Sequence, residues 1–333
     1  MTTTARMGVG PMSSEIIEAT YRYSEKTKKQ MMLIASLNQI NCNGGYVNGW
    51  GTQTLKQYCV AMEGMYKEAN VLLCRDHCGP FFMGETVLAE SSKNVYANLK
   101  ADCEAGLDLI HIDFCHIPVR DDREVIAYAR EAMDYCLSIN PKIRFEIGTD
   151  AIGTGVTNTL DLMWILDKVK QYPIEFYVIN TGSLIQDFWQ AGIFDPCNTQ
   201  QCTKILHMAG IRAKEHNSDY LTASEIKFRF DCGIDALNVA PQFGVVQTNN
   251  ILSRALVGDS EKRACLAEWK KEVYEAGNWK KWTDNSEDVL HCVRCAGHYH
   301  FKGDNYTRLM EVLNIPQDDL IESAMRVMAH YAN

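Results

Sequence analysis

The sequence predicts an α/β fold, a (β/α)8 TIM barrel, because eight short apolar runs alternate with segments of helical length. The clearest run, residues 70–75, ends abruptly on Asp76 and His77. The other seven runs are residues 5–9, 32–37, 107–112, 143–145, 174–179, 210–215 and 234–237. Residues at the C-terminal ends of barrel strands are typically catalytic, so we expect the functional site there.

Helices are predicted between these runs, at about 13–29, 52–69, 91–106, 121–139, 157–171, 198–209 and 221–232. Three of them begin with a recognisable start signal. Ser13 and Thr157 each precede a helical pattern, and Thr222 stands three residues before Glu225, which is the spacing of a capping box. Each signal follows a strand end closely, as a loop between a barrel strand and its helix requires.

The pattern changes after residue 238, because residues 248–333 are rich in Trp, Lys and Glu and indicate helices only. A chain of 333 residues with 46% hydrophobic content can bury a full core. A barrel of roughly 250 residues also leaves room for added helices. We therefore expect one barrel domain over residues 1–333, with a helical C-terminal extension from about residue 258.

The charge and hydropathy patterns exclude several classes of partner. A net charge of −9, without basic clusters interleaved with aromatic residues, predicts no binding to nucleic acid or to an anionic membrane. No run approaches the ~20 apolar residues of a membrane span, and the first residues lack the apolar core of a signal peptide. We expect a cytoplasmic protein whose 13 scattered cysteines are reduced and mostly structural.

Two histidines and a carboxylate at different strand ends predict a metal site. His77, His216 and either Glu146 or Asp150 are the residue types that bind a divalent ion such as zinc while leaving one position open. The alternative for each histidine is a hydrogen bond to a neighbouring loop.

Asp76 is the candidate catalytic residue. At a strand end the chain is already turning, so adjacent residues can both reach the mouth of the barrel. Asp76 would then lie close enough to His77 to move a proton to or from a substrate oxygen. Its alternative role is to cap the segment that begins near Gly84. Other polar residues at or after strand ends are candidate substrate contacts: Asn38, Gln39, Asp113, Asn180, Asp219 and Asn238.

Five segments resemble a known family in order along the chain: residues 37–46, 74–80, 109–113, 146–150 and 215–220. They resemble the Z-type subunit of tagatose-1,6-bisphosphate aldolase and, more distantly, the zinc-dependent class II aldolases of fructose and tagatose bisphosphate. The resemblance implies a lyase of carbohydrate metabolism that acts on a ketose phosphate or bisphosphate. Zinc or another divalent metal would stabilise the enediolate formed on carbon–carbon cleavage.

The resemblance also implies roles for individual residues. In class II aldolases the Asp of the Asp-His pair donates the catalytic proton and the His binds zinc, which corresponds to Asp76 and His77. A second zinc ligand follows the seventh strand, where this chain has His216. An Asn after the eighth strand contacts substrate, and it corresponds to Asn238.

Two positions depart from the class II pattern. The third zinc-binding histidine, expected after the sixth strand, is replaced by Asn180, so either a carboxylate completes the site or no metal binds. Asp219 lies among the residues that would contact phosphate, and its charge would repel a phosphate dianion. The phosphate then binds elsewhere, with Gly182, Ser183 and Arg294 as candidates, or that end of the substrate carries hydroxyl groups.

These departures leave two alternatives to an aldolase. Z-type subunits are regarded as non-catalytic partners that stabilise a separate aldolase subunit, so a catalytic partner subunit is one expectation. A sugar-phosphate isomerase or epimerase is the other, because such enzymes share enediolate chemistry on the same barrel. For each of these functions we expect a homo-oligomer and a phosphorylated sugar as ligand.

Overall fold

The computed structural model of the protein describes residues 6–113, 116–117, 122–148 and 156–332. Eight parallel strands close into a barrel in which strands consecutive around the barrel are also consecutive along the chain. They are β1 (Met7–Val9), β2 (Met31–Ser36), β3 (Val71–Cys78), β4 (Leu109–Ile112), β5 (Arg144–Gly148), β6 (Ile174–Val178), β9 (Arg212–Glu215) and β10 (Ala236–Val239). The predicted (β/α)8 barrel with additional C-terminal helices is confirmed.

Seven helices alternate with these strands, close to the predicted segments. They are α1 (Ser14–Thr27), α2 (Thr52–Met65), α3 (Leu88–Ala105), α4 (Asp122–Ile139), α5 (Thr159–Val169), α6 (Pro196–Met208) and α7 (Ala223–Asp231). Ser13 caps α1, and Thr222 with Glu225 forms the predicted capping box of α7. The start signal assigned to Thr157 was wrong, because Asn158 caps α5 while the Thr157 hydroxyl accepts the backbone N–H of Asn180.

Inside the barrel, side-chain alternation along the strands places a layer of polar residues next to a layer of apolar residues. Inside the barrel, a small hydrophobic cluster contains Cys74 of β3 and Leu109 of β4. Residues two positions further along a strand point to the same side, which brings Asp76 and His111 into the next layer towards the C-terminal end. The register pairs His111 of β4 with Glu146 of β5, so these groups enter the barrel at one level.

The described residues after β10 form five α-helices: α8 (Pro241–Leu256), α9 (Ser260–Ala276), α10 (Val289–Ala296), α11 (Asp304–Leu313) and α12 (Gln317–Ala332). Part of α8 packs with α9, α10 and α11 in a second hydrophobic cluster built around Trp269 and Leu309. By contrast, α12 packs against α1 and α8, so the chain returns to the outer ring of helices. No helix in the described ranges is both long and apolar enough to cross a membrane.

A short hairpin follows β6 and is attached to the C-terminal helices. Its strands β7 (Ile185–Gln186) and β8 (Trp189–Gln190) pair in antiparallel fashion. In the turn between them, the backbone N–H of Asp187 donates to the carbonyl of Trp282 at 2.7 Å. The Asp187 carboxylate also lies 2.6 Å from Nε2 of His291 on α10. This hairpin therefore connects the barrel to the 277–302 segment that covers its mouth.

Candidate active site

Three imidazole rings form a nearly equilateral triangle at the C-terminal end of the barrel. His77 lies on β3, His111 on β4, and His216 directly follows β9. Their ring centroids are 5.2 Å (His77–His111), 5.0 Å (His77–His216) and 5.2 Å (His111–His216) apart. Rings bound to one tetrahedral ion at about 2.1 Å each would have centroids about 5 Å apart. The spacing therefore fits a single divalent ion.

The Asp76 carboxylate lies between the three rings. Its Oδ1 is 3.4 Å from Nδ1 of His111 and 3.8 Å from Nε2 of His216, and its Oδ2 is 3.8 Å from Nε2 of His77. Burial alone would raise the pKa of Asp76, but the surrounding imidazoles outweigh burial and hold that pKa well below its usual range. The group is therefore a carboxylate at neutral pH.

The turn at the end of β3 explains how two adjacent residues can share one site. His77 has a φ of 46°, in the left-handed region that a non-glycine residue adopts rarely, and the pairing with β4 shifts register between Arg75 and Cys78. The ring is held by Asp113, whose Oδ2 lies 2.8 Å from its Nδ1. That contact directs Nε2 of His77 towards Asp76.

His111 is a site residue that the sequence patterns did not single out. The pattern indicated Asp113, which ends the same apolar run, whereas His111 lies within the run. Its Nε2 donates to the carbonyl of Gly148 at 3.0 Å, which leaves Nδ1 facing the cluster. Burial lowers the pKa of His111, yet the hydrogen bond to Asp76 and the nearby carboxylates outweigh burial and raise it. The available signal was alternation, since Leu109 faces the interior and His111 is two residues further on.

Glu146 lies beside His216 and links it to a buried lysine. Its Oε1 is 2.8 Å from Nε2 of His216, and its other oxygen accepts from Nζ of Lys214. Burial would raise the pKa of Glu146, but Lys214 and the two neighbouring histidines lower it to about 2. Lys214 was not predicted from the sequence, because a lysine within a strand is usually exposed whereas this one is fully buried.

A cavity of ≈ 690 Å³ opens above the cluster, with the barrel on one side and the 277–302 segment on the other. On the barrel side it is lined by Asp76, His77, His216, Asn38, Gln39, Asp219 and Asn238. The opposite wall includes Lys281, Trp282, His298, Tyr299 and Lys302. This second wall belongs to the C-terminal extension, from which only Arg294 was named as a candidate.

Five of the predicted substrate residues are absent from the lining of this cavity: Asp113, Asn180, Gly182, Ser183 and Arg294. The Asn180 side chain accepts the N–H of Gly182 at 3.0 Å, and the Ser183 hydroxyl donates to the His216 carbonyl at 3.0 Å. Arg294 donates to Asn249 at 3.0 Å and stacks 4.4 Å from the Phe188 ring centroid. Asp113 supports His77 instead of lining the cavity. The candidate ligand Asp150 lies outside the described residues.

A buried ion pair orders the loop that follows β2 and carries Gln39. Nε and Nη2 of Arg75 donate to the two Asp102 oxygens at 2.7 and 2.8 Å. Nη1 donates to the backbone carbonyl of Ala35 in β2 at 2.8 Å and to that of Ile40 in the loop. Both charged side chains are fully buried, so the pair fixes the loop against α3 beside the cavity.

Solved structures with the same fold include sugar-phosphate enzymes. A probable tagatose 6 phosphate kinase from Sinorhizobium meliloti 1021 has a TM-score of 0.82 and 17% identity, over 98% of this chain and 99% of its own. A fructose-bisphosphate aldolase from Campylobacter jejuni has a TM-score of 0.62 and 12% identity, over 97% and 88%. The YdjI aldolase from Escherichia coli K12 has a TM-score of 0.52 and 13% identity, over 97% and 93%. At such identities the likeness shows the fold.

The family comparison concerns the first part of the chain. A comparison with curated protein sequences gave no match. Residues 4–134 match the family model described as D-tagatose-1,6-bisphosphate aldolase subunit GatZ/KbaZ-like. This span includes β1 to β4 with Asp76, His77 and His111, while the motifs at 146–150 and 215–220 lie beyond it. The resemblance predicted from the motifs is thus confirmed over residues 4–134, where the chain is similar to the D-tagatose-1,6-bisphosphate aldolase subunit GatZ/KbaZ-like family.

Proposed function

We propose that the protein is a metal-dependent, class II-like aldolase that cleaves or forms a carbon–carbon bond in a ketose phosphate or bisphosphate. The observation that carries this proposal is the triangle of His77, His111 and His216 around the Asp76 carboxylate, at the floor of a cavity large enough for a sugar. A family described as a tagatose-bisphosphate aldolase subunit and the aldolases among the structural neighbours support the same reaction class.

The donor set fits a divalent ion. The donor atoms of Asp76, His77, His111 and His216 all lie within 4.8 Å of one another. His77 and His111 each use one ring nitrogen to contact an acceptor behind the ring, which is the usual support for a metal-binding histidine. We therefore assign the three histidines as the residues that would hold the ion, with zinc as the metal that this donor set favours.

His111 could take the place of the zinc-binding histidine that is missing after the sixth strand. Asn180, the residue at that position, uses its side chain to accept the N–H of Gly182. A third imidazole is instead supplied by β4, so the substitution at residue 180 does not leave the donor set short. Glu146, one of the two predicted carboxylate ligands, contacts Nε2 of His216 from within the cluster.

A divalent ion at this site would polarise the substrate carbonyl and stabilise the negative charge that develops on its oxygen during cleavage. Asp76, as a carboxylate, would accept the proton of the hydroxyl group next to the bond that breaks. The electron pair of that bond then passes to the ketone fragment, and the hydroxyl carbon becomes the aldehyde. In the direction of synthesis the protonated Asp76 returns its proton to the new hydroxyl. Glu146 and Asp113 would keep His216 and His77 in position.

The test is metal analysis combined with turnover of the purified full chain. We expect one divalent ion per chain and cleavage of a ketose phosphate or bisphosphate. Asp76→Asn should retain the ion and lose turnover by about 10²–10⁴-fold, the usual contribution of a general acid–base group. His111→Ala should lose the ion while the barrel stays folded. A matched control is His207→Ala, since His207 also pairs with a carboxylate but is exposed on α6. Unchanged turnover in Asp76→Asn would remove the catalytic assignment.

The second candidate function is an accessory subunit that supports a separate aldolase. It is favoured by the word subunit in the family description. This function predicts no turnover by the chain alone and a rise in the activity of an added class II aldolase. Asp76→Asn would then support the partner as well as the wild type does. A loss of that support in Asp76→Asn would contradict the accessory function.

A further inference from the structure

Three buried side chains around the first turn of α8 line the cavity and carry unpaired polar atoms. These atoms are Oδ2 of Asp219, both amide atoms of Asn238 and both ring nitrogens of His298, none of which has a hydrogen-bond partner among the described residues. The three residues are 1%, 4% and 1% exposed, and all line the cavity. Buried polar groups are nearly always paired, so this group marks a place where a ligand supplies the missing donors and acceptors.

The Asp219 carboxylate caps the N-terminus of α8. Its Oδ1 accepts the backbone N–H of Ala240 at 3.1 Å and of Gln242 at 2.8 Å, and α8 has no side-chain cap from its N-cap residue, Ala240. A helix N-terminus near the last strands of a barrel is a common phosphate site, because free N–H groups and the helix dipole favour an anion. Here those N–H groups are already used, and the carboxylate would repel a phosphate.

Two glycines leave the space that Asn238 and His298 occupy. A Cβ at Gly8 on β1 would lie 2.2 Å from Oδ1 of Asn238, and a Cβ at Gly244 on α8 would lie 2.5 Å from Cβ of His298. Burial lowers the pKa of His298 to about 3, so its ring is neutral and offers one donor and one acceptor. The Asn238 amide also offers both. Hydroxyl groups donate and accept as well, so they match this set better than a phosphate does.

Positive charge on the cavity wall lies at its exposed rim. Lys281 and Lys302 are both exposed, and the Lys281 ammonium lies 4.7 Å from the ring centroid of Trp282. Nζ of Lys302 is 3.3 Å from the carbonyl of Gly45, so it spans from the C-terminal wall to the loop after β2. The cavity therefore combines an end that favours hydroxyl groups with a rim that favours an anion.

We propose that the cavity binds a ketose monophosphate, with the free hydroxyl end at Asp219, Asn238 and His298 and the single phosphate at the rim near Lys281 and Lys302. The identification of the ligand as a ketose rests on the proposed function. The selection against a second phosphate rests on Asp219.

The test is calorimetric binding to the full chain at pH 8, with D-tagatose 1-phosphate, 6-phosphate and 1,6-bisphosphate as probes. We expect one monophosphate to bind at least tenfold more tightly than the bisphosphate. Asp219→Ser removes the charge and frees the helix N-terminus, so it should strengthen bisphosphate binding at least tenfold. Asp219→Asn keeps the hydrogen bonds to α8 and serves as the variant that preserves the fold, with a smaller gain. Asn238→Ala should weaken the preferred monophosphate at least tenfold.

The proposal is overturned if the bisphosphate binds the wild type as tightly as either monophosphate, if no probe binds, or if both Asp219 variants leave the preference unchanged. These outcomes are distinct from failure of the aldolase proposal. Tight monophosphate binding without cleavage would remove the aldolase and keep this site. Efficient cleavage of a preferred bisphosphate would keep the aldolase and remove this site.

Discussion

Replacement of Asp219 by Asn should stabilise the protein increasingly as the pH rises from about 4 to above 7. Burial raises the pKa of Asp219 to about 7 in the folded state, against about 3.9 in an unfolded chain. Below pH 4 the carboxyl is protonated in both states. Between pH 4 and 7 only the unfolded state loses the proton readily, so the wild type loses stability as the pH rises. Above pH 7 both states are ionised and the loss is complete.

The size of the effect follows from the difference of about three pKa units, each worth about 1.4 kcal/mol. The upper limit is therefore about 4 kcal/mol. Asn keeps the oxygen that accepts from Ala240 and Gln242, so the hydrogen bonds at α8 are retained while the ionisation is removed. The difference in unfolding free energy between variant and wild type should rise by this amount between pH 4 and pH 8.

Urea unfolding of both proteins at several pH values measures the difference, because titrations common to both cancel. Asp259→Asn is the control, since Asp259 also caps a helix, α9, but is fully exposed. The hydrogen bond to the Lys262 N–H lowers the pKa of Asp259, so this variant should lose stability relative to the wild type as the pH rises through the acid range. A flat difference for Asp219→Asn, or a change of the same sign as the control, would refute the reasoning.

Two further substitutions test the residues that support the site. Asp113→Asn weakens the acceptor that orients His77, so metal affinity in a competition titration should fall about 10–100-fold with the fold intact; unchanged affinity would contradict the support assigned to Asp113. Arg75→Met leaves the buried Asp102 carboxylate without its cation and should cost about 3–5 kcal/mol in urea unfolding. Removing both partners in Arg75→Met/Asp102→Leu should recover part of that loss, and no recovery would mean that the uncompensated charge is not its source.

Local sequence patterns were sufficient for the barrel and for one side of its site. Apolar runs that end on polar residues depend only on side-chain alternation and on the C-terminal position of barrel sites, so Asp76, His77 and His216 were recognised from short segments. The capping box at Thr222 was equally local, because both partners lie within three residues. The cap of α5 was misplaced by one residue. The Thr157 hydroxyl accepts the backbone N–H of Asn180 instead, and a local sequence pattern does not contain this long-range contact.

Long-range packing decided the rest of the site. His111 and Lys214 lie within apolar strands, and only the closed barrel brings them to Asp76 and Glu146. Asp219 and His298 are 79 positions apart, and they line one cavity because the chain after α8 folds back over the barrel mouth. The sequence by itself determined the strand ends and the polar residues that follow them, because these depend on neighbours along the chain. Which groups share a cavity, and which charges remain buried there, depended on closure of the barrel and the return of the C-terminal helices, because burial and electrostatics are set by neighbours in space.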